Sequence, residues 1–207
     1  MEFEKKRDRL VKRLATRRNL SDRTLDAIRA VPRHEFVPEA KQSAAYNDTP
    51  LPIGEGQTIS APHMVAIMAE LLELTPGAEV LEIGTGCGYH AAVTAELVGP
   101  EHVYSVEYHT SLAERAREIL QRTGYGEVSV RAGDGRDGWP ECAPFDRSYL
   151  TCAADTIPES IREQVRTGGI VLGPLRNGGQ RLVKGVVQSD GTLQRESHGR
   201  VRFVPLK

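Results

Sequence analysis

Apolar positions along the chain change their period several times, and each change marks an element. Phe3, Leu10, Val11 and Leu14 form a sparse stripe among Lys and Arg. Leu25, Ile28 and Val31 form a second, behind a capping pair Ser21-Asp22 and before Pro32, which stops it. Two amphipathic helices are expected there. Between Val31 and Ser60 the period is lost, because prolines and glycines forbid long regular structure. Yet Phe36, Tyr46, Leu51, Ile53 and Ile59 make the stretch too apolar for a linker, and an ordered loop of that length commonly forms a binding wall. The helical period returns after Ser60-Ala61-Pro62, with Val65, Met68, Leu71 and Leu72 on one side and Pro62 tolerated in the first turn.

Beyond this helix, short apolar runs replace the stripes. Stretches 80–83, 102–107, 128–131, 144–151 and 170–175 read as buried strands, with helical stretches from about Tyr89 to Leu97 and from Ile157 onward. This order predicts an α/β fold, a doubly wound, mostly parallel Rossmann-like sheet. Past Gln180 the pattern changes, so 181–188 and 200–204 are expected as antiparallel edge strands around a polar turn near Asp190-Gly191. One domain is expected over 1–207, divided into a helical preface with its loop (1–60) and a Rossmann-like core (61–207).

Composition narrows the setting. The 207 residues hold 27 Lys/Arg against 28 Asp/Glu, so the total charge predicts no nucleic-acid partner. Residues 1–30 alone carry ten basic against five acidic side chains, which reads first as a solvated helical face and second as a polyanion contact. The three cysteines, Cys87, Cys142 and Cys152, are scattered and make no ligand cluster with the six histidines, so no metal site is expected. They point instead to a reducing compartment. No stretch resembles a signal peptide, and no apolar run approaches the roughly 18 residues of a membrane span. A cytoplasmic, soluble monomer is expected.

The candidate chemistry begins at Val80-Leu81-Glu82-Ile83-Gly84-Thr85-Gly86-Cys87-Gly88, a strand that runs into a glycine turn and then a helix. Such a turn needs positive φ, exposes bare backbone to a ligand and stands before the free N–H groups of a helix start. The spacing is Gly-x-Gly-x-Gly, without the later glycine that brings a helix close over a pyrophosphate. It therefore favours S-adenosyl-L-methionine, which has no phosphate, over NAD. Glu107 ends the next strand roughly twenty residues on, where such folds place a ribose ligand. Asp134, with Gly135, follows the third strand and suits an adenine amino group. Ser60 is open to two readings: an ordinary helix N-cap, or a hydroxyl that meets a substrate carboxylate beside free backbone N–H groups.

Several segments resemble the protein-L-isoaspartate O-methyltransferases. They are Val31-Pro32-Arg33-His34-Glu35-Phe36-Val37-Pro38, Pro50-Leu51-Pro52-Ile53-Gly54, Gln57-Thr58-Ile59-Ser60-Ala61-Pro62-His63-Met64, the glycine turn, Gly133-Asp134-Gly135, Ala143-Pro144-Phe145-Asp146 and Val201-Arg202-Phe203-Val204-Pro205-Leu206. The Thr-Ile-Ser-Ala-Pro-His wording is the most specific, and Gly-Thr-Gly-Cys-Gly-Tyr-His is closest to archaeal members. The resemblance implies a class I methyltransferase in which Ser60 is the active-site serine. It implies that Gln57, Thr58, Ile59 and Ser60 border the cofactor, that Gly84, Thr85, Gly86, Cys87, Gly88 and Glu107 hold it, and that Asp134 and Gly135 sit by the adenine. The implied partners are flexible or unfolded isoaspartyl-containing peptides and proteins, with no nucleic acid and no membrane, and the implied by-product is S-adenosyl-L-homocysteine. Two departures stand out: Cys152-Ala153-Ala154-Asp155 where many members have Ala-Ala-Ala-Pro, and a chain that stops at Lys207, so contacts from a C-terminal extension are expected to be missing. The rival readings are a methyltransferase for RNA or small molecules, a Rossmann dehydrogenase, a cysteine nucleophile at Cys87 or Cys142, and a binding module without catalysis.

Overall fold

A computed structural model describes residues 2–17, 19–176 and 178–207. Helices α1 (Glu2–Arg17) and α2 (Asp22–Ala30) open the chain, and α2 has the expected Ser21 cap, whose hydroxyl accepts from the Thr24 N–H. The loop that follows is more regular than its prolines suggest. It holds two 3-10 turns and an antiparallel hairpin of β1 (Leu51–Gly54) and β2 (Gln57–Ile59). After α3 (Pro62–Leu71) come β3 (Val80–Ile83), α4 (Tyr89–Val98), β4 (Val103–Glu107), α5 (Thr110–Arg122), β5 (Ser129–Ala132) and β6 (Phe145–Leu150). The short helix α6 (Glu159–Glu163) leads into β7 (Val165–Arg176), β8 (Gln180–Val187) and β9 (Leu193–Arg200).

The seven-stranded sheet runs β5-β4-β3-β6-β7-β8-β9, parallel from β5 to β7 and antiparallel from β7 to β9. Alternate residues of the central strands feed two cores on opposite faces. Val80, Tyr149 and Leu172 face α3, α4 and the N-terminal helices, whereas Leu81, Leu150 and Val171 pack with Ile161 of α6. The chain winds outward from β3 through β4 to β5 and then returns to β6 on the other side of β3, so the strand order reverses there. A crevice opens at such a reversal, at the carboxyl ends of the strands.

The last strand departs from expectation. β9 covers Leu193–Arg200, and 201–204 is not part of it. Its residues are mostly charged or polar and exposed, as suits a protected sheet edge, so they carry little apolar signal. The apolar segment after it instead crosses the strand ends. Val201 N donates to Gln180 O at 3.0 Å, and Ala153 exchanges bonds with Val204 O (2.7 Å) and Leu206 N (2.9 Å).

Candidate active site

Three strand ends build the crevice. Gly84 follows β3 at φ +97°, and a Cβ there would stand 2.3 Å from the Thr151 hydroxyl oxygen, so only glycine fits. That hydroxyl donates to Gly84 O at 2.5 Å and ties the end of β6 to the glycine turn. Gly88, at φ +87°, is the N-cap of α4, and this helix is buried along almost its whole length. Glu107 closes β4 with 5% of its surface exposed. Its carboxylate accepts from Gly86 N at 2.8 Å and His109 N at 3.0 Å, one bond to each oxygen. A carboxylate oxygen has two acceptor positions, so each keeps one for a ligand.

The crevice is divided into three adjoining spaces. An open cavity of about 530 Å³ takes in Gln57, Thr58, Gly84, Gly86, Glu107 and Gly135 of the expected residues. A narrow cleft of about 290 Å³ beside it is walled by Ile59, Ser60, Thr85 and Cys87. A broad groove of about 950 Å³ lies on the far side of Ser60, with His63, Met64 and Arg202 on its walls. Thr58 and Thr151 line all three, and Ser60 lines the cleft and the groove. Two expected residues stand back from these walls. Gly88 serves the helix start, and the Asp134 carboxylate accepts from Arg136 N (2.8 Å) and pairs with the Arg136 guanidinium (2.9 Å) at the cavity edge.

Thr151 and Cys152, which follow β6 at the crevice end, line the cavity as well, whereas sequence reasoning did not single out Tyr108, His109 or the tail from Val204 to Lys207 on its wall. Tyr108 and His109 lie just past the end of β4 in a fold whose ligands gather at strand ends, a signal that could have flagged them. No local signal could place the tail, which is brought in by long-range pairing with Ala153.

Ser60 is not a helix cap. Ala61 is the N-cap of α3 and Pro62 its first residue, with no side chain capping in place. The loop supplies a substitute: Asp48 Oδ1 accepts from His63 N at 2.9 Å and from His63 Nδ1 at 2.8 Å, pinning the hairpin's approach to the helix start. The Ser60 hydroxyl has no hydrogen-bond partner among the described residues and stays available to a ligand.

A buried polar network supports the turn from below. Glu82, fully buried, accepts from the Ser105 hydroxyl (2.5 Å) and the Tyr149 hydroxyl (3.0 Å). Ser105 in turn is hydrogen-bonded to Thr85 at 2.6 Å. Burial raises the Glu82 carboxyl to about 8 despite these bonds, and the nearby Glu107 charge adds to the rise. His90, its ring tilted 39° to that of Tyr149 with centroids 4.6 Å apart, has no partner at either ring nitrogen among the described residues, and burial lowers it to about 3. Burial likewise pushes the Cys87 thiol up to about 11 and the Cys152 thiol to about 12, and raises the Cys142 thiol, which disfavours the thiolate that a cysteine nucleophile needs. Among the described residues no group of three or more His, Cys, Asp or Glu could hold a metal ion, and no helix is long and apolar enough to cross a membrane.

Comparison with known proteins agrees with this geometry. Residues 5–207 match the family model for Protein-L-isoaspartate(D-aspartate) O-methyltransferase. Protein-L-isoaspartate O-methyltransferase 2 of Archaeoglobus fulgidus is 53% identical over 210 residues, covering 100% of this chain and 95% of that protein. A solved protein-L-isoaspartate O-methyltransferase superposes with a TM-score of 0.88 at 32% identity; the match covers 96% of this chain but spans only 65% of the other's length. A Plasmodium falciparum beta-aspartate methyltransferase, solved in complex with S-adenosyl-L-homocysteine, shares the fold with a TM-score of 0.84 at 23% identity, covering 97% of this chain and 98% of that one. Because the family match takes in the hairpin wall and the tail as well as the sheet, it decides between the methyltransferase readings: the chain belongs to the protein-L-isoaspartate(D-aspartate) O-methyltransferase family.

Proposed function

We propose that the crevice transfers a methyl group from S-adenosyl-L-methionine to the α-carboxylate of L-isoaspartyl residues in flexible or unfolded peptides and proteins. The observation that carries the reading is the position of Ser60. Its free hydroxyl stands where the cavity at the strand ends, through the cleft, meets the groove on the other side.

The residues present fit the cofactor. The bare backbone of Gly84 and Gly86 suits a methionine moiety, and the remaining acceptor positions of Glu107 suit two ribose hydroxyls. When bound, S-adenosyl-L-methionine supplies an electrophilic methyl on a sulfonium. The isoaspartyl carboxylate is already ionised near neutral pH, its ordinary pKa being roughly 3.5 to 4, so the protein need not provide a base. Its task is orientation, which can contribute on the order of 7 to 11 kcal/mol. Ser60 donates to one carboxylate oxygen and steers the other toward the cofactor cavity, while Thr58 and Thr151 form the passage between the two. Gln57 and Ile59 border the cofactor, and Asp134 and Gly135 stand at its adenine end. The methyl ester can expel methanol where a carboxylate would have to expel oxide, so attack by the following backbone amide nitrogen on the ester carbonyl forms the C–N bond of a succinimide and releases methanol, and hydrolysis of that ring returns some normal aspartate. A monomeric active unit and a cytoplasmic setting complete the reading, and the three free cysteines suit the latter.

Transfer of tritium from labelled S-adenosyl-L-methionine to paired isoaspartyl and aspartyl peptides tests the proposal. Label is expected in the isoaspartyl member alone; equal labelling, or labelling only of RNA or small acceptors, would overturn it.

A further inference from the structure

The wall of the groove opposite Ser60 is unusual in its charge. Arg200 ends β9, Arg202 follows two residues on, and both are exposed and line the same groove. The segment that carries them is fixed in place. Val201 N bonds Gln180 O, and the Gln180 side chain holds Phe203 from both directions, its Nε2 donating to Phe203 O at 3.0 Å and its Oε1 accepting from Phe203 N at 2.5 Å. Neither guanidinium has a hydrogen-bond or ion-pair partner among the described residues, whereas nearby Arg176 pairs with Asp155 and Arg181 bonds Ser197. Asp48, the acid tied to the facing wall, is held by His63. Two uncompensated positive charges therefore line one groove of a chain whose net charge is −1.

Resting on the methyltransferase reading, we infer that Arg200 and Arg202 select isoaspartyl peptides with acidic residues flanking the damaged position. Both line the groove and are absent from the walls of the cleft and the cofactor cavity. They face the residues around the methyl acceptor, not the acceptor itself. That separation suits the chemistry, because a guanidinium paired directly with the reacting carboxylate would neutralise the nucleophile. A flanking carboxylate gains a fork-shaped donor and a Coulomb attraction that acts over roughly a Debye length of 8 to 10 Å.

Three isoaspartyl peptides, identical but for Glu, Gln or Lys on either side of the isoaspartate, test the inference through kcat/KM. The order Glu, Gln, Lys is expected, with a Glu-to-Lys ratio of about tenfold at low salt that shrinks toward one near 0.5 M salt. R200Q/R202Q should collapse the ratio, R200K/R202K keep it and R200E/R202E reverse it. Because all three peptides are compared on the same protein preparation, partial unfolding of a variant cancels from the ratio. A wild-type ratio of one overturns the inference, as does a ratio left intact in R200Q/R202Q. Equal loss on all three peptides in R200Q/R202Q also overturns it, since the arginines would then hold the carboxylate common to them. Absence of turnover on every peptide would instead overturn the methyltransferase reading beneath it.

Discussion

Ser60 and Glu107 sit on the same crevice but differ in what the protein already asks of them. The Ser60 hydroxyl has no internal partner, so Ser60→Ala should leave the thermal midpoint within about 2 °C of wild type. Methyl transfer should fall by roughly tenfold to a thousandfold, the cost of removing one positioned donor. Ser60→Asp should be worse still, because its charge opposes the substrate carboxylate and no vacant cap position rewards it. Melting curves and initial rates on one isoaspartyl peptide check both. Glu107 is already bonded to Gly86 N and His109 N, so Glu107→Gln keeps an acceptor for the turn but loses the charge toward the ribose. Calorimetry should show S-adenosyl-L-methionine binding weakened by about 1.5 to 3 kcal/mol. The glycines and Glu107 were legible in the sequence because backbone conformation and strand ends impose local rules. The cap reading of Ser60 was a local rule misapplied by one position: Pro62 is the first helical residue, which makes Ala61 the boundary.

Among the elements, β3, β4 and β6 are joined beneath the glycine turn by Glu82, Ser105 and Tyr149. The folded Glu82 carboxyl titrates at about 8 against an ordinary 4.5, so between these values the native state holds a proton that the unfolded chain has released. Stability contributed by this group is therefore present below about 4.5, declines as pH rises toward 8 and is then fully lost. Glu82→Gln preserves a neutral hydrogen-bonding group. It should raise the melting temperature at pH 8 by at least about 2 °C, with a smaller gain at pH 5, as a pH series of thermal melts will show. The central parallel strands β3, β4 and β6 were readable as apolar runs because they are largely buried on both faces. β9 was not, since an exposed edge with residues such as Arg195, Glu196 and Ser197 carries no such run. Helix α5, which the apolar-run pattern does not include, carries its own helical period, with Leu112, Ala116, Ile119 and Leu120 marking its buried face.

At the scale of the molecule, the tail makes the crevice a compartment. Residues 204–207 wall the cofactor cavity, Leu206 N bonds Ala153 O, and Lys207 Nζ reaches His109 Nε2 at 3.2 Å across from the end of β4. Removing 205–207 should leave the sheet folded but weaken S-adenosyl-L-methionine binding at least about fivefold, measurable by calorimetry beside an unchanged far-ultraviolet dichroism spectrum. Val204, Thr58 and Thr151 belong at once to the cofactor cavity and to the peptide groove. Neither occupant can then settle without shifting a surface on which the other rests, and reciprocity requires each to change the other's affinity by one common factor. The signature is kinetic: with both substrates varied, double-reciprocal lines should cross off the horizontal axis, and a crossing on that axis would mean that the shared walls transmit nothing.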